Sequence, residues 1–349
     1  MPQDKLPLQD SKKHTSWLLR PLLWIYLIVK FLFKALVLVW ACLAIYYQAG
    51  PWPWLRLVLA LLFLAFGIWS LWVASKRYWV WVFAGVFALV LLWWATIRPT
   101  NDRLWSTDVA VLPHATIDGD KVHLFNVRNF DYRSRHDFTV RYEDRVVSLS
   151  HLTGVDFFVS YWMPGPVGHT FVSFIFDNAP PVNISIETRP EKGQGFDPIA
   201  SLFKQFELIY VVGDERDLVR VRTNFRHEQV YMYHLYITPE KARRLFLVYL
   251  ERINELYKHP EFYHLLSNSC TINIVRYANA SGREGRVDFR HYLNGLIDGY
   301  LYHAGWLNND LPFTELRQRS NIDQEAQAAD KSPNFSEKIR ANLPAAASD

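Results

Sequence analysis

The sequence predicts an α+β, water-exposed domain behind three membrane-spanning helices, and three observations carry that prediction. No Asp or Glu occurs between Ser11 and Asn101, and apolar residues run there in blocks long enough to cross a ~30 Å hydrocarbon core, which takes ~20 residues of helix. Ten of the 38 Lys and Arg and eleven of the 14 Trp also fall in the first 101 residues, against only two acids, Asp4 and Asp10. From Thr100 onward the texture changes to short alternating segments separated by turn residues. The net charge of +4 hides this asymmetry: the N-terminal third carries a surplus of eight positive charges, so the remainder is at −4. A slightly acidic body excludes a basic nucleic-acid-binding surface. Two cysteines, Cys42 and Cys270, exclude a disulfide-dense scaffold and a four-cysteine zinc site. Hydrophobic content of 50% with 16% aromatics excludes disorder for most of the length.

In chain order, the first span lies within residues 21–47, the second runs over 54–74 and the third over 78–97. Lys30 and Lys34 sit early in the first, where a cation deep in hydrocarbon costs ~3 kcal/mol. A segment 17–30 lying along the interface, with the span starting near Phe31, would relieve that cost. Lys5, Lys12, Lys13 and Arg20 precede the first span and Lys76 and Arg77 separate the second from the third, whereas the intervening turn has only Arg56 at its edge. Cytoplasmic flanks collect cations, so three crossings leave everything after Arg98 outside the cytoplasm. A cleaved signal peptide could replace the first span but not the next two. The expected organisation is a membrane anchor over 1–99, an extracytoplasmic domain over 100–319 and a polar, Ala-rich, loosely packed arm over 320–349, of which 334–339 could fold back on the body.

Within the soluble part, Asp118-Gly119 marks a two-residue hairpin turn inside 115–130. Strand-like runs follow at 138–142, 157–162, 170–176 and 182–188, then a short helix at 198–206 and a strand at 230–237. Thr238-Pro239-Glu240 opens a helix with N-cap and proline in the expected order, and Leu245, Tyr249, Arg252 and Leu256 share one of its faces. Helical signals continue over 270–280 and 292–300.

One thiol, Cys270, lies in the soluble part. Ser267, Asn268 or Ser269 can cap a helix beginning at or beside it, and a thiol in the first turn faces the positive end of the helix dipole, which favours thiolate. A packed, inert thiol is the competing reading. Of the histidines, His169 stands apart because it leaves the breaker-rich turn 164–168 and starts a strand, a rigid place to hold an imidazole; His264 is its nearest competitor. A symmetrical turn at 177–181 would set His169 opposite Arg189 and Phe171 opposite Glu187, so that Glu187, on the diagonal, orients the imidazole while Arg189 pairs with Glu187 or an anionic substrate. A surface cross-strand ion pair explains the same two residues equally well. The cluster Asp214 to Asp217 with Arg220, Arg222 and Arg226 reads as a solvated loop with local ion pairs rather than a phosphate-reading patch. No His or carboxylate spacing assembles a metal site, so neither metal nor cofactor is expected.

Six ordered motifs then carry a resemblance. They are Gly168-His-Thr-Phe-Val-Ser-Phe174, Ser185-Ile-Glu-Thr-Arg189, the run from Phe206 to Asp217, Val221-Arg-Thr-Asn-Phe-Arg226, Val230-Tyr-Met-Tyr233, and Phe262-Tyr263 ahead of Asn268-Ser-Cys-Thr271. Together they resemble the Lnb N-terminal periplasmic domain family, whose namesake is a lipoprotein N-acyltransferase, over residues 108–344. The His-then-Cys order is also similar to permuted papain-like enzymes of the NlpC and lecithin retinol acyltransferase type. The resemblance implies that fold, with Cys270 as nucleophile, His169 as base, Glu187 as third member, and Arg189 and Asn268 toward substrate. Ser269 departs from the family, in which a second Asn is the more frequent residue, and this weakens any oxyanion role there. The implied protein is a multi-pass protein of the bacterial inner membrane with a periplasmic thiol acyltransferase domain. It would move a fatty acyl chain from a phospholipid, among the membrane lipids, to an amine such as the N-terminus of a lipoprotein. A cell-wall peptidase or amidase using the same dyad, or a non-catalytic envelope assembly factor, are the alternatives.

Overall fold

A computed structural model describes residues 15–50, 52–282 and 288–344, with the side chains of the first helix from Arg20 on. Lys5, Lys12, Lys13, Pro51 and residues 345–349 of the expected arm lie outside the described residues. The chain divides into two units, Met1–Arg98 and Pro99–Asp349.

The first unit holds α1 (Thr15–Gln48), α2 (Pro53–Ile68), which runs on through a π-helical turn at Trp69–Val73, and α3 (Tyr78–Thr96). Among the described residues these are three helices long and apolar enough to cross a membrane, over Arg20–Gln48, Pro53–Val73 and Tyr78–Thr96. Instead of breaking near Phe31, α1 is continuous through Lys30 and Lys34. Its lysines are accommodated locally. Lys34 Nζ donates to the Leu71 carbonyl at 2.6 Å and lies over the Trp72 ring, and Lys30 lies over Tyr26. That carbonyl belongs to the π-helical turn, which places it within reach of the half-buried Lys34.

The second unit is α+β. Its strands are β1 (His114–Asp118), β2 (Lys121–Arg128), β3 (Asp131–Tyr132), β4 (Phe138–Thr139), β5 (Tyr142–Ser148), β6 (Leu152–Tyr161), β7 (His169–Phe176), β8 (Val182–Arg189), β9 (Glu207–Gly213) and β10 (Gln229–His234). Its helices are α4 (Glu215–Leu218), α5 (Pro239–Lys258), α6 (Cys270–Ala280), α7 (Ile297–His303), α8 (Phe313–Ser320), α9 (Asp323–Ala328) and α10 (Phe335–Lys338). Eight strands form one sheet in the order β1-β2-β9-β8-β7-β6-β10, with β5 also on β2, antiparallel except for a parallel bridge between Arg128 and Gly213. The central strands β6 to β9 are buried along most of their length. That explains their near-continuous apolar runs in place of clean alternation.

Several expectations shift by small amounts. The hairpin pair Asp118↔Lys121 makes Gly119 and Asp120 the turn residues, with Gly119 at φ +57°. The run 198–206 holds only a 3₁₀ turn, Ala200–Leu202, while Glu207–Gly213, read from sequence as a motif, is a central strand. On α5 the buried stripe passes through Leu245, Tyr249, Ile253 and Leu256; Arg252 stands beside it and reaches Glu261 at 2.9 Å.

The arm packs as 334–339 were expected to, and the packing extends upstream to Ile322, where a loose segment was expected. Ile322, Ala326, Ala329, Phe335 and Ile339 are at most 1% exposed and pack with Phe158 and Phe171 of the sheet. Alanine and isolated aromatic positions in a polar sequence look unstructured, but here they are the contact points of short helices lying on a sheet face.

Candidate active site

The helix α6 begins at Cys270, which is 3% exposed. None of the three expected residues caps it through a side chain. Ser269 occupies the N-cap position without such a bond, Ser267 Oγ lies 3.0 Å from His264 Nδ1, and Asn268 donates to Glu261 and to the Phe262 carbonyl and accepts from Asn273. Asn268 therefore shapes the turn into the helix rather than facing a substrate. The Tyr263 hydroxyl hydrogen-bonds the Cys270 backbone from the strand-like segment before it.

His169 begins β7 beside this helix end. The turn that delivers it needs Gly168, since a Cβ there would lie 2.8 Å from the Ser160 carbonyl oxygen. The His169 ring lies close enough to the Cys270 thiol for its charge to favour thiolate there. Its Nε2 stands 2.7 Å from Ser185 Oγ, which in turn donates to Glu187 Oε1 at 2.7 Å. Nε2 being occupied, Nδ1 is the nitrogen left for the sulfur, which is the tautomer a proton acceptor at Nδ1 requires. Glu187 lies 3.9 Å from Nε2 and so acts on the ring through Ser185 rather than directly. His264, the competitor, bridges Asn268 in the preceding turn and takes no part.

The register differs from the symmetrical one. Phe171 pairs with Ser185 and Phe174 with Val182, a displacement of two residues. Pro180 and Pro181 cannot donate to a ladder, so pairing resumes only at Val182. Because the slip is two, Glu187 keeps to His169's side of the sheet and comes directly opposite it when the register is continued. Arg189 moves away: it is 3% exposed, donates to the carbonyls of Val109 and Ala110 and to Asn101, and lies over the Trp105 ring. It is a scaffold residue, not a substrate contact.

The partner of Glu187 is Arg222, which donates to Oε1 at 2.6 Å, is 2% exposed and stacks over the Phe171 ring. The cluster read as a solvated loop is thus a buried ionic network: Arg128 also pairs with Asp217 at 2.8 Å, both nearly fully buried. Burial favours protonating Glu187, but the charges of Arg222 and His169 outweigh it and hold the carboxyl well below the usual range. Burial likewise pushes the Cys270 thiol up; the His169 charge, the bond from its ring and the bonds from Thr170 bring it down to about 6.

Asn294 completes the site and had no sequence signal beyond a helical pattern over 292–300. Its Oδ1 accepts the Gly168 N–H at 2.8 Å, which turns Nδ2 toward Cys270 Sγ at 3.7 Å. The loop carrying it is docked on 162–167: Gly295 N donates to the Pro166 carbonyl and Tyr161 Oη to the Gly295 carbonyl. A Cβ at Gly295 would meet Pro166 at 2.7 Å, so only glycine permits this contact. Around it Trp162, Met163, Val167, Tyr292, Leu293 and Leu296 are exposed. Among the described residues no group of three or more His, Cys, Asp and Glu is placed to hold a metal ion.

An arrangement of this kind favours the thiolate over the thiol. Alkylation of Cys270 by iodoacetamide, followed by peptide mass analysis, should rise with a midpoint near about 6 instead of the ~8.5 of a free thiol. A midpoint at or above the free value would mean the sulfur and the ring do not share a proton.

Residues 138–295 match the family model described as the Lnb N-terminal periplasmic domain. Comparison with curated proteins and with solved structures gives no match.

Proposed function

We propose, from the premise that the soluble unit belongs to the Lnb N-terminal periplasmic domain family, that this membrane protein is a thiol acyltransferase acting on lipid at the bacterial inner membrane. In this reading it is multi-pass, with its cationic flanks in the cytoplasm. The observation that carries the reading is the relay Cys270, His169, Ser185, Glu187, with the thiol drawn down to about 6. The Cys270 thiolate attacks an ester carbonyl of a phospholipid. A C–S bond forms, the ester C–O bond breaks, and the leaving alkoxide takes the proton from the His169 imidazolium. The tetrahedral oxyanion is stabilised by Asn294 Nδ2, already turned toward the sulfur. In the second step an amine, such as the N-terminus of a lipoprotein, attacks the thioester; an N–C bond replaces the C–S bond and His169 accepts the amine proton. The resemblance to permuted papain-like enzymes supports the same roles.

The exposed apolar residues around the site favour a lipid over a cell-wall peptide, because such a rim suits an acyl donor and offers few partners to polar stems. Tethering to the bilayer raises the effective concentration of a donor and an acceptor that both reside there. The decisive measurement is intact-mass analysis of the detergent-solubilised protein and of Cys270→Ser after incubation with phospholipid. A fatty-acyl adduct is expected on the first and not on the second. Absence of any adduct, together with release of cleaved muropeptides from purified cell wall, would turn the same dyad into a hydrolase.

A further inference from the structure

We infer that the apolar cavity running along α6 from Thr271 to Gly282 is the seat of one acyl chain of the lipid donor, an inference that rests on the acyltransferase reading. The cavity lies between α6, the sheet, α5 and α7, with about 720 Å³ of empty space, solvent at its mouth included. On α6 it is lined by Thr271, Ile274 and Ala278, spaced so that they form one stripe. Val172 of β7 and Leu245 of α5 face them across the cavity, and Lys241, exposed, contributes the single charged side chain of the lining.

Two features point to a hydrocarbon occupant. The cavity starts beside the nucleophile, since Thr271 lines it and its Oγ1 is 3.8 Å from Cys270 Sγ. Its hydroxyls are already satisfied within the protein: Thr271 Oγ1 is 2.8 Å from Thr170 Oγ1, and Ser281 Oγ donates to the Ala278 carbonyl at 2.8 Å. A sugar or peptide stem entering here would lose water and find no partner, a cost a methylene chain does not incur. The strand register gives the direction. Thr170, whose hydroxyl meets Thr271 and which shares a face of β7 with Val172, pairs with Val159 near the catalytic end; Val172 pairs with Phe157 further on, and Leu235 lies past the end of β10. A chain esterified to Cys270 therefore extends along the sheet toward the start of α5, where the stem of Lys241 can lie against it and its ammonium can remain in water.

The test uses the full chain in detergent, with dipalmitoyl phosphatidylglycerol and, separately, p-nitrophenyl acetate as donors, reading the mass of the Cys270 adduct over time. Ala278→Phe, which fills the cavity, should slow palmitoyl adduct formation about tenfold or more, the penalty for leaving a few methylenes in water. It should leave acetylation within about twofold, the residue being two helical turns from the sulfur. Unchanged palmitoylation in this variant overturns the inference. If the variant loses both reactions, the wild type decides: a phosphatidylglycerol bearing a diazirine at the chain end should crosslink within residues 235–245, and crosslinks confined elsewhere overturn the assignment. A wild type that forms an acetyl but no palmitoyl adduct refutes the acyltransferase reading itself, an outcome distinct from failure of the cavity.

Discussion

Arg340→Ala should lower the stability of the soluble unit by about 3–5 kcal/mol, the usual cost of removing one partner from a buried ion pair. Arg340 reaches from just beyond α10 to two carboxylates on separate elements. It lies 2.6–2.7 Å from both oxygens of Glu215 and 2.7–2.9 Å from Asp156 Oδ2. Glu215 is 0% and Asp156 1% exposed. Asp156 retains His234 Nδ1 at 2.8 Å when the guanidinium is lost, but Glu215 is left with a buried charge. Arg340→Met, which keeps much of the stem, should be nearly as damaging. Combining it with Glu215→Gln should recover a substantial part, since removing both charges of a pair costs far less than removing one. Pulse proteolysis of the detergent-solubilised protein across a urea series reads the change directly. An Arg340→Ala midpoint equal to that of the wild type would mean the tail contributes no fixed structure.

His169→Ala should reduce formation of the Cys270 acyl adduct about 10²–10⁴-fold, the range for a positioned acid–base group. It should also move the iodoacetamide midpoint upward from about 6. The sign follows from the opposing causes: burial alone favours the neutral thiol, and His169 is the main group that reverses it. Removing the ring therefore leaves burial unopposed, and reactivity appears only as pH rises past the ordinary thiol range. Ser185→Ala is the informative companion. It breaks the link between Nε2 and Glu187 while leaving the Glu187–Arg222 pair intact, so it should slow acylation and leave stability nearly unchanged. Equal midpoints for the wild type and His169→Ala would sink the dyad.

Much of this site could be read in one dimension because its chemistry depends on local punctuation. Pro164 to Gly168 forces a turn that ends at His169, and the polar stretch before Cys270 must break before α6 can start. Ser185 lies within one of the motifs, yet nothing in the sequence separates a serine that bridges a histidine and a carboxylate from one that merely fills a strand. Arg222 was seen as part of a charged cluster and assigned to solvent. A run of charges looks the same whether its partners are water or buried groups far away in the chain, and only the packing of strand, helix and C-terminal segment brings Glu187, Asp217 and Glu215 to their arginines. Asn294 carried no signal beyond a helical pattern over 292–300. Its role arises because a loop more than a hundred residues from His169 lands on the turn that holds it.

The primary sequence alone determined the three apolar helices, the boundary near Thr100, the strand starting at His169 and the helix starting at Cys270, because each follows from hydrophobic period or from residues that terminate an element. Tertiary structure alone decided which acid holds which base, whether the C-terminal segment packs, and where an apolar cavity runs. Those outcomes depend on strand register and on contacts between segments far apart in the chain. A two-residue slip at a proline-bearing turn changes every cross-strand partner while leaving local composition untouched.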